Sequence, residues 1–192
     1  DSALGTGPLS ITNGTLASTS STARAVTNSI GVYGNFTLGQ AATGTGNLTL
    51  SGNMNLGAFT RTITVSNVGT DVITGVISGD PGVGLIKAGS GALTVNGANT
   101  YSGGATINAG TLGCGNASSL GTGSATLGAA SGTATATLTS GNVTITNAIT
   151  VAAGGTGVRT IRNNGTASTT LSGPILLDNN LTASTAAGGS AT

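Results

Sequence analysis

The feature that most constrains this chain is that it repeats itself while alternating faces every second residue. Leu4-Gly5-Thr6-Gly7 returns as Leu120-Gly121-Thr122-Gly123 after 116 residues. Thr27-Asn28-Ser29-Ile30 returns as Thr146-Asn147-Ala148-Ile149 after 119, and Leu50-Ser51-Gly52 as Leu171-Ser172-Gly173 after 121. Three matches in one order, with a slowly growing offset, mark a duplicated unit of 116–121 residues. The first copy is residues 1–116 and a partial second copy is 117–192. Within each copy, short stretches alternate apolar and polar residues, the period of a half-buried strand. Examples are Asn47-Leu48-Thr49-Leu50-Ser51, Thr60 to Ser66, Ala92-Leu93-Thr94-Val95-Asn96 and Asn142-Val143-Thr144-Ile145-Thr146. Nearly all of them stop at Gly or Asn, which tolerate positive φ and so favour tight turns.

Composition removes the competing classes. Gly, Thr, Ala, Ser and Asn supply 134 of 192 residues, which is unfavourable for helix. Flexible linkers share the Gly and Ser but are polar, whereas this chain has positive mean hydropathy. Polar residues interrupt every apolar stretch too often for a transmembrane helix. No secretory signal peptide and no initiator Met stand at Asp1, so a processed product or a segment is expected. With no His there is no imidazole base or ligand, and one Cys builds neither a zinc site nor an internal disulfide. A net charge of +1 leaves no electrostatic footprint for nucleic acid.

Short strands and tight turns repeated end to end predict a single all-β solenoid over residues 1–192, each coil stacking its strands on the one below. At roughly 20–25 residues per coil the chain makes about eight or nine coils, a stack of about 40 Å. An immunoglobulin-like sandwich or an up-and-down barrel is the competitor. Those folds bury a few large aromatics and carry a charged surface, whereas this chain has four aromatics and nine charged side chains. Asp1 aligns with Ala117 and Thr192 with about Asp71, both in mid-repeat and without a cap. The expectation is a longer array, or units stacking head to tail into a filament.

One stretch carries a longer motif. Residues 84–112 read Lys87-x-Gly89-x-Gly91-x-Leu93, then Gly97-x-Asn99-Thr100-Tyr101-x-Gly103-Gly104, then Ile107-Asn108-x-Gly110-Thr111-Leu112. This resembles the autotransporter-associated β-strand repeat, also called the passenger-associated transport repeat. The resemblance implies a right-handed parallel β-helix, secretion by a Gram-negative-type bacterium, and display on or release from the cell surface. It also assigns those fifteen residues a structural role in the repeat. No membrane β-barrel translocator follows in the sequence, so that route of transport concerns a precursor.

Other candidate sites are few, and no catalytic, cofactor-binding or metal-ligating residue is expected. Asp71 and Asp80 are the nearest carboxylates, and a glycosidase needs two carboxyls about 5 Å or 6.5–9.5 Å apart. Asp80-Pro81-Gly82 reads more simply as a turn. Four scattered Asp do not supply a calcium nonapeptide array. Arg159 and Arg162 fall on opposite faces of a strand and are expected to be solvated, or one of them to lie over a coil end. Lys87 is expected to cap a turn or to neutralise an Asp. Tyr101 reads as a corner packing residue with its hydroxyl at the surface, rather than as a sugar-stacking platform. Cys114 reads as a small buried hydrophobe, with an intermolecular disulfide as the sharper alternative. Asn-x-Ser/Thr sequons at Asn13, Asn35, Asn47, Asn116, Asn142, Asn164 and Asn180 are near the number chance supplies, and coil-to-coil Asn bonding is the simpler role.

The functional expectation is a non-enzymatic structural or adhesive protein of the bacterial surface or extracellular matrix. It self-associates end to end or laterally, surface glycans are a further candidate partner, and this stretch of chain does not insert into a membrane. The competing expectation is a carbohydrate-binding or polysaccharide-cleaving module on the same scaffold.

Overall fold

The computed structural model describes residues 4–40, 45–166 and 168–185. Twenty-two short strands, numbered β1 to β22 in chain order, account for its regular structure, and every strand pair among the described residues is parallel. The first face, sheet A, stacks β1 (Leu9–Ile11), β4 (Ile30–Val32), β7 (Met54–Asn55) and β10 (Ile77–Ser78). Sheet B stacks β2 (Thr15–Leu16), β5 (Phe36–Leu38), β8 (Arg61–Val65), β11 (Leu85–Ala88), β13 (Ala105–Ile107), β15 (Ala125–Leu127), β18 (Ile149–Val151) and β21 (Ile175–Leu177). Sheet C stacks β3 (Arg24–Val26), β6 (Leu48–Leu50), β9 (Thr70–Ile73), β12 (Ala92–Val95), β14 (Gly110–Cys114), β16 (Ala136–Ser140), β19 (Arg159–Asn163) and β22 (Thr182–Thr185). Further along, β17 (Thr144–Ile145) and β20 (Thr170–Leu171) pair with each other. This is an all-β parallel solenoid, and no antiparallel hairpin occurs among the described residues.

The number of coils is lower than expected. Eight rungs in sheets B and C close about seven turns rather than eight or nine. Residues paired on successive rungs lie 20 apart for Leu85 and Ala105 but 27 apart for Phe36 and Ile63, because corner loops widen some coils. Seven steps at the spacing of parallel strands give a stack of roughly 34 Å.

Alternation sorts each strand into an inner and an outer column. In sheet B the inner column runs Phe36, Ile63, Lys87, Ile107, Leu127, Val151, Leu177. In sheet C it runs Asp71, Leu93, Leu112, Leu138, Ile161, with Leu50, Ile73, Val95, Cys114, Ser140, Asn163 beside it. The leucines, isoleucines and valines of both columns are buried up to Ile161, and each contributes about 1.5–3 kcal/mol by leaving water. Thr111, Thr137, Thr160 and Thr182 stand in one outer column, a neutral ladder of β-branched side chains.

Corners pack backbone on backbone, and this dictates small residues there. A Cβ at Gly52 would lie 1.9 Å from the Asn28 carbonyl oxygen, and one at Gly173 would lie 2.1 Å from that of Asn147. Gly52→Ala therefore forces two coils apart and is expected to destabilise by more than about 2 kcal/mol. Gly7→Ala, where a Cβ meets nothing within 4 Å, should stay within about 0.5 kcal/mol. Urea midpoints of the two variants check this.

Candidate functional site

The motif residues gather where the first face changes character. β10 is the last strand of sheet A, and over residues 97–103 and 116–124 that face continues without strands. A few main-chain bonds persist there, Thr100 N to the Ile77 carbonyl and Thr122 N to the Tyr101 carbonyl, and side chains supply the rest. The Ile77 amide donates to Asn99 Oδ1 at 2.8 Å, and Asn99 Nδ2 donates to the Ser119 carbonyl at 2.8 Å. Tyr101 Oη donates to that same carbonyl at 3.1 Å, and Ser119 Oγ donates to the Val95 carbonyl at 2.6 Å. All of these side chains are buried, so each bond forms where water does not compete. Thr100 faces outward. The Tyr101 hydroxyl is thus inside the solenoid rather than at its surface, because the Ser119 carbonyl gives it an interior acceptor. Burial raises its pKa well above the ordinary phenol value.

The next corner, between sheets B and C, holds the motif lysine. Lys87 points inward between Ile63 and Ile107 and is fully buried. Its Nζ donates to the carbonyls of Ala88 at 2.9 Å, Gly89 at 2.8 Å and Ala109 at 3.0 Å. It caps a turn, as one of the two expected roles had it, and binds that turn to the coil beyond. Gly110, at φ +69°, completes the pocket, since a Cβ there would come within 2.9 Å of Nζ. Gly89 and Gly104 also take positive φ, while Leu93, Ile107 and Leu112 are core. Gly91, Gly97 and Gly103 lie against backbone of the preceding coil, and the Asn108 amide donates to the Lys87 carbonyl.

Arg159 fills a comparable role at the same corner further along. It is buried in line with Gly110 and Ala136, and it donates to the carbonyls of Gly155, Gly157 and Ala129. The expected solvated pair is therefore half right: Arg162 is exposed, whereas Arg159 is drawn inside by three carbonyls. Asp71 is also interior, occupying a leucine position of sheet C. Its Oδ1 accepts from the Leu48 amide at 2.7 Å and from Asn67 Nδ2 at 3.0 Å, while Oδ2 has no hydrogen-bond partner. Asp80 is exposed in a turn closed by Val83 N donating to its carbonyl at 3.0 Å, so the two carboxylates do not face each other. Cys114 is buried and its thiol is pushed up to about 12, which suits the packing role and disfavours thiolate chemistry.

Reading the sequence missed Asn28 and Asn147 as bonding residues. Asn28 Nδ2 donates to the carbonyls of Gly5 and Gly7, and Asn147 Nδ2 to those of Gly121 and Gly123. The matched Thr27-Asn28 and Thr146-Asn147 contained that signal. Of the sequon asparagines, Asn35 bonds coil to coil, accepting from the Thr62 amide.

The buried ammonium gives the fold a pH signature. Burial lowers Lys87 from 10.5 to about 8. Between those values the unfolded chain binds more protons than the folded one, so this residue makes stability rise with pH. Cys114, held protonated by burial, opposes it above about pH 9, as does Tyr101 at higher pH. Relative to the parent chain, Lys87→Met should lose the rise between about pH 8 and 9, read from urea midpoints across that range.

Comparison with known proteins agrees with this geometry. The passenger-associated-transport-repeat family model matches residues 85–113, the stretch that contains Lys87, Asn99 and Tyr101. The chain is 47% identical over 73 residues to the adhesin BmaC autotransporter of Brucella suis biovar 1 (strain 1330). That match covers 38% of this chain and 2% of the relative's length. No solved structure matches the chain. Motif, fold and relative thus agree: the chain carries a passenger-associated-transport repeat at residues 85–113, set within a parallel β-solenoid, and is similar over part of its length to an autotransporter adhesin.

Proposed function

We propose that the chain forms a rigid, non-enzymatic shaft of a bacterial cell-surface or extracellular protein, structural and adhesive in role. The observation that carries this reading is where its polar chemistry goes. Asn28, Asn99, Ser119, Asn147, Lys87 and Arg159 are buried and bond main-chain carbonyls. Most of those carbonyls belong to a neighbouring coil, so these side chains maintain the stack rather than act on a substrate. The adhesin relative supports a surface location. The right hand of the winding follows from the crossover preference of parallel strands with right-handed twist.

Self-association, end to end or side by side, completes the proposal. A weakly charged Thr and Ser surface adds little repulsion between neighbouring rods.

Electron microscopy and fibre diffraction of the purified chain test the reading. Elongated particles with a reflection near ~4.8 Å along their axis are expected. Compact monodisperse globules would contradict it. On intact bacteria making the protein, added protease should reach it without lysis, and protection until lysis would overturn the surface assignment.

A further inference from the structure

The chain has four aromatic residues, and it treats them in two ways. Phe36 and Tyr101 are buried, so the solenoid interior does accept rings. Tyr33 and Phe59 are 63% and 67% exposed, although most outward positions of this chain are Thr, Ser, Asn or Gly. The register places both at one corner. Ile30 pairs with Met54 and Gly31 with Asn55, so Tyr33 and the loop of residues 57–60 leave sheet A on successive rungs.

Each ring has one side supported by the protein. The Tyr33 ring lies against Gly31, where an added Cβ would come within 2.9 Å of it, so the bare glycine gives the ring its seat. The Arg61 guanidinium sits over Phe59 at 5.4 Å from the ring centroid, and Arg61 Nε donates to the Leu56 carbonyl at 3.1 Å. The arginine is therefore held by the backbone while it backs the ring. Asn55, the register partner of Gly31, is exposed four residues before Phe59, and its Oδ1 accepts from the Gly57 amide at 2.8 Å. Asp80 occupies the same corner one rung further, its amide bonded to the Gly57 carbonyl.

We infer that this corner, built from Tyr33, Phe59, Asn55 and Arg61, is a stacking site for a neutral oligosaccharide. Two supported rings at a corner that also carries Asn55, Arg61 and Asp80 are not the extended apolar patch of a protein interface. They offer flat faces for the C–H side of sugar rings, with the exposed Asn55 amide at the same corner for hydroxyls. One engaged guanidinium and one carboxylate leave the corner without a preferred ionic partner, which selects a neutral sugar over an acidic one. This inference is independent of the structural role: rods that bind no glycan would leave that role standing.

The test is binding of the full chain to immobilised neutral oligosaccharides (linear glucans, galactans and chito-oligosaccharides), alongside uronic-acid and sialylated ones. At least one neutral probe should bind, with Tyr33→Ala and Phe59→Ala each weakening it roughly tenfold. Tyr33→Phe should retain binding within about threefold, since the ring face carries the contact. Val68→Ala, at another exposed apolar position, should change nothing, and unchanged circular dichroism would show that the variants fold. The inference is overturned if no neutral probe binds better than to the Tyr33→Ala/Phe59→Ala double variant. Binding confined to acidic sugars, or losses matched by Val68→Ala, would overturn it equally.

Discussion

Main-chain hydrogen bonds between stacked rungs govern the other choices in this chain. A parallel ladder repeats at a fixed spacing, so each residue sits directly over its counterpart in the coil below. Side chains on the inner columns must fill a narrow space without pushing the rungs apart, and Leu, Ile, Val and Ala do so. At the corners the backbone itself is the neighbour, as between Gly52 and Asn28, and there nothing larger than glycine fits. The composition follows from this one spacing. A chain that must stack at every turn has few positions for bulky or charged residues.

Lys87 and Arg159 enter the interior where the backbone leaves acceptors unsatisfied. Turning from sheet B to sheet C strands several carbonyls inside the corner, beyond the reach of the ladder. Lys87 supplies donors for three of them, and Arg159 does the same further along. An unpaired buried carbonyl is costly, so a buried cation with several such acceptors can be tolerated where a solitary one cannot. The Asn99, Ser119 and Tyr101 cluster solves the related problem on the first face, where strands give way to loops.

Much of this was legible because the signals are periodic. Alternation and self-similarity identify stacked strands, and the long Lys87 to Leu112 motif identifies the repeat. What escaped was set by three-dimensional neighbours. Nothing in the sequence says that Arg159 lies beneath the carbonyls of Gly155 and Ala129, so its inward face reads as solvent. Tyr101 likewise follows a run of polar residues, and only the position of the Ser119 carbonyl brings its hydroxyl indoors. The coil number was overcounted because corner loops such as residues 57–60 lengthen a turn without adding a rung. The exposed Tyr33 and Phe59 escaped notice because their shared corner depends on register.

The carbonyls of Ala88 and Gly89 belong to the winding of Lys87 and that of Ala109 to the next, and one ammonium grips all three. Each winding touches chiefly the two on either side, so mechanical tension could peel the stack open like thread from a spool. At Lys87 an advancing tear must also pull a cation from its acceptors. Resistance to pulling should therefore be uneven along the shaft, with firm knots at that winding and at Arg159.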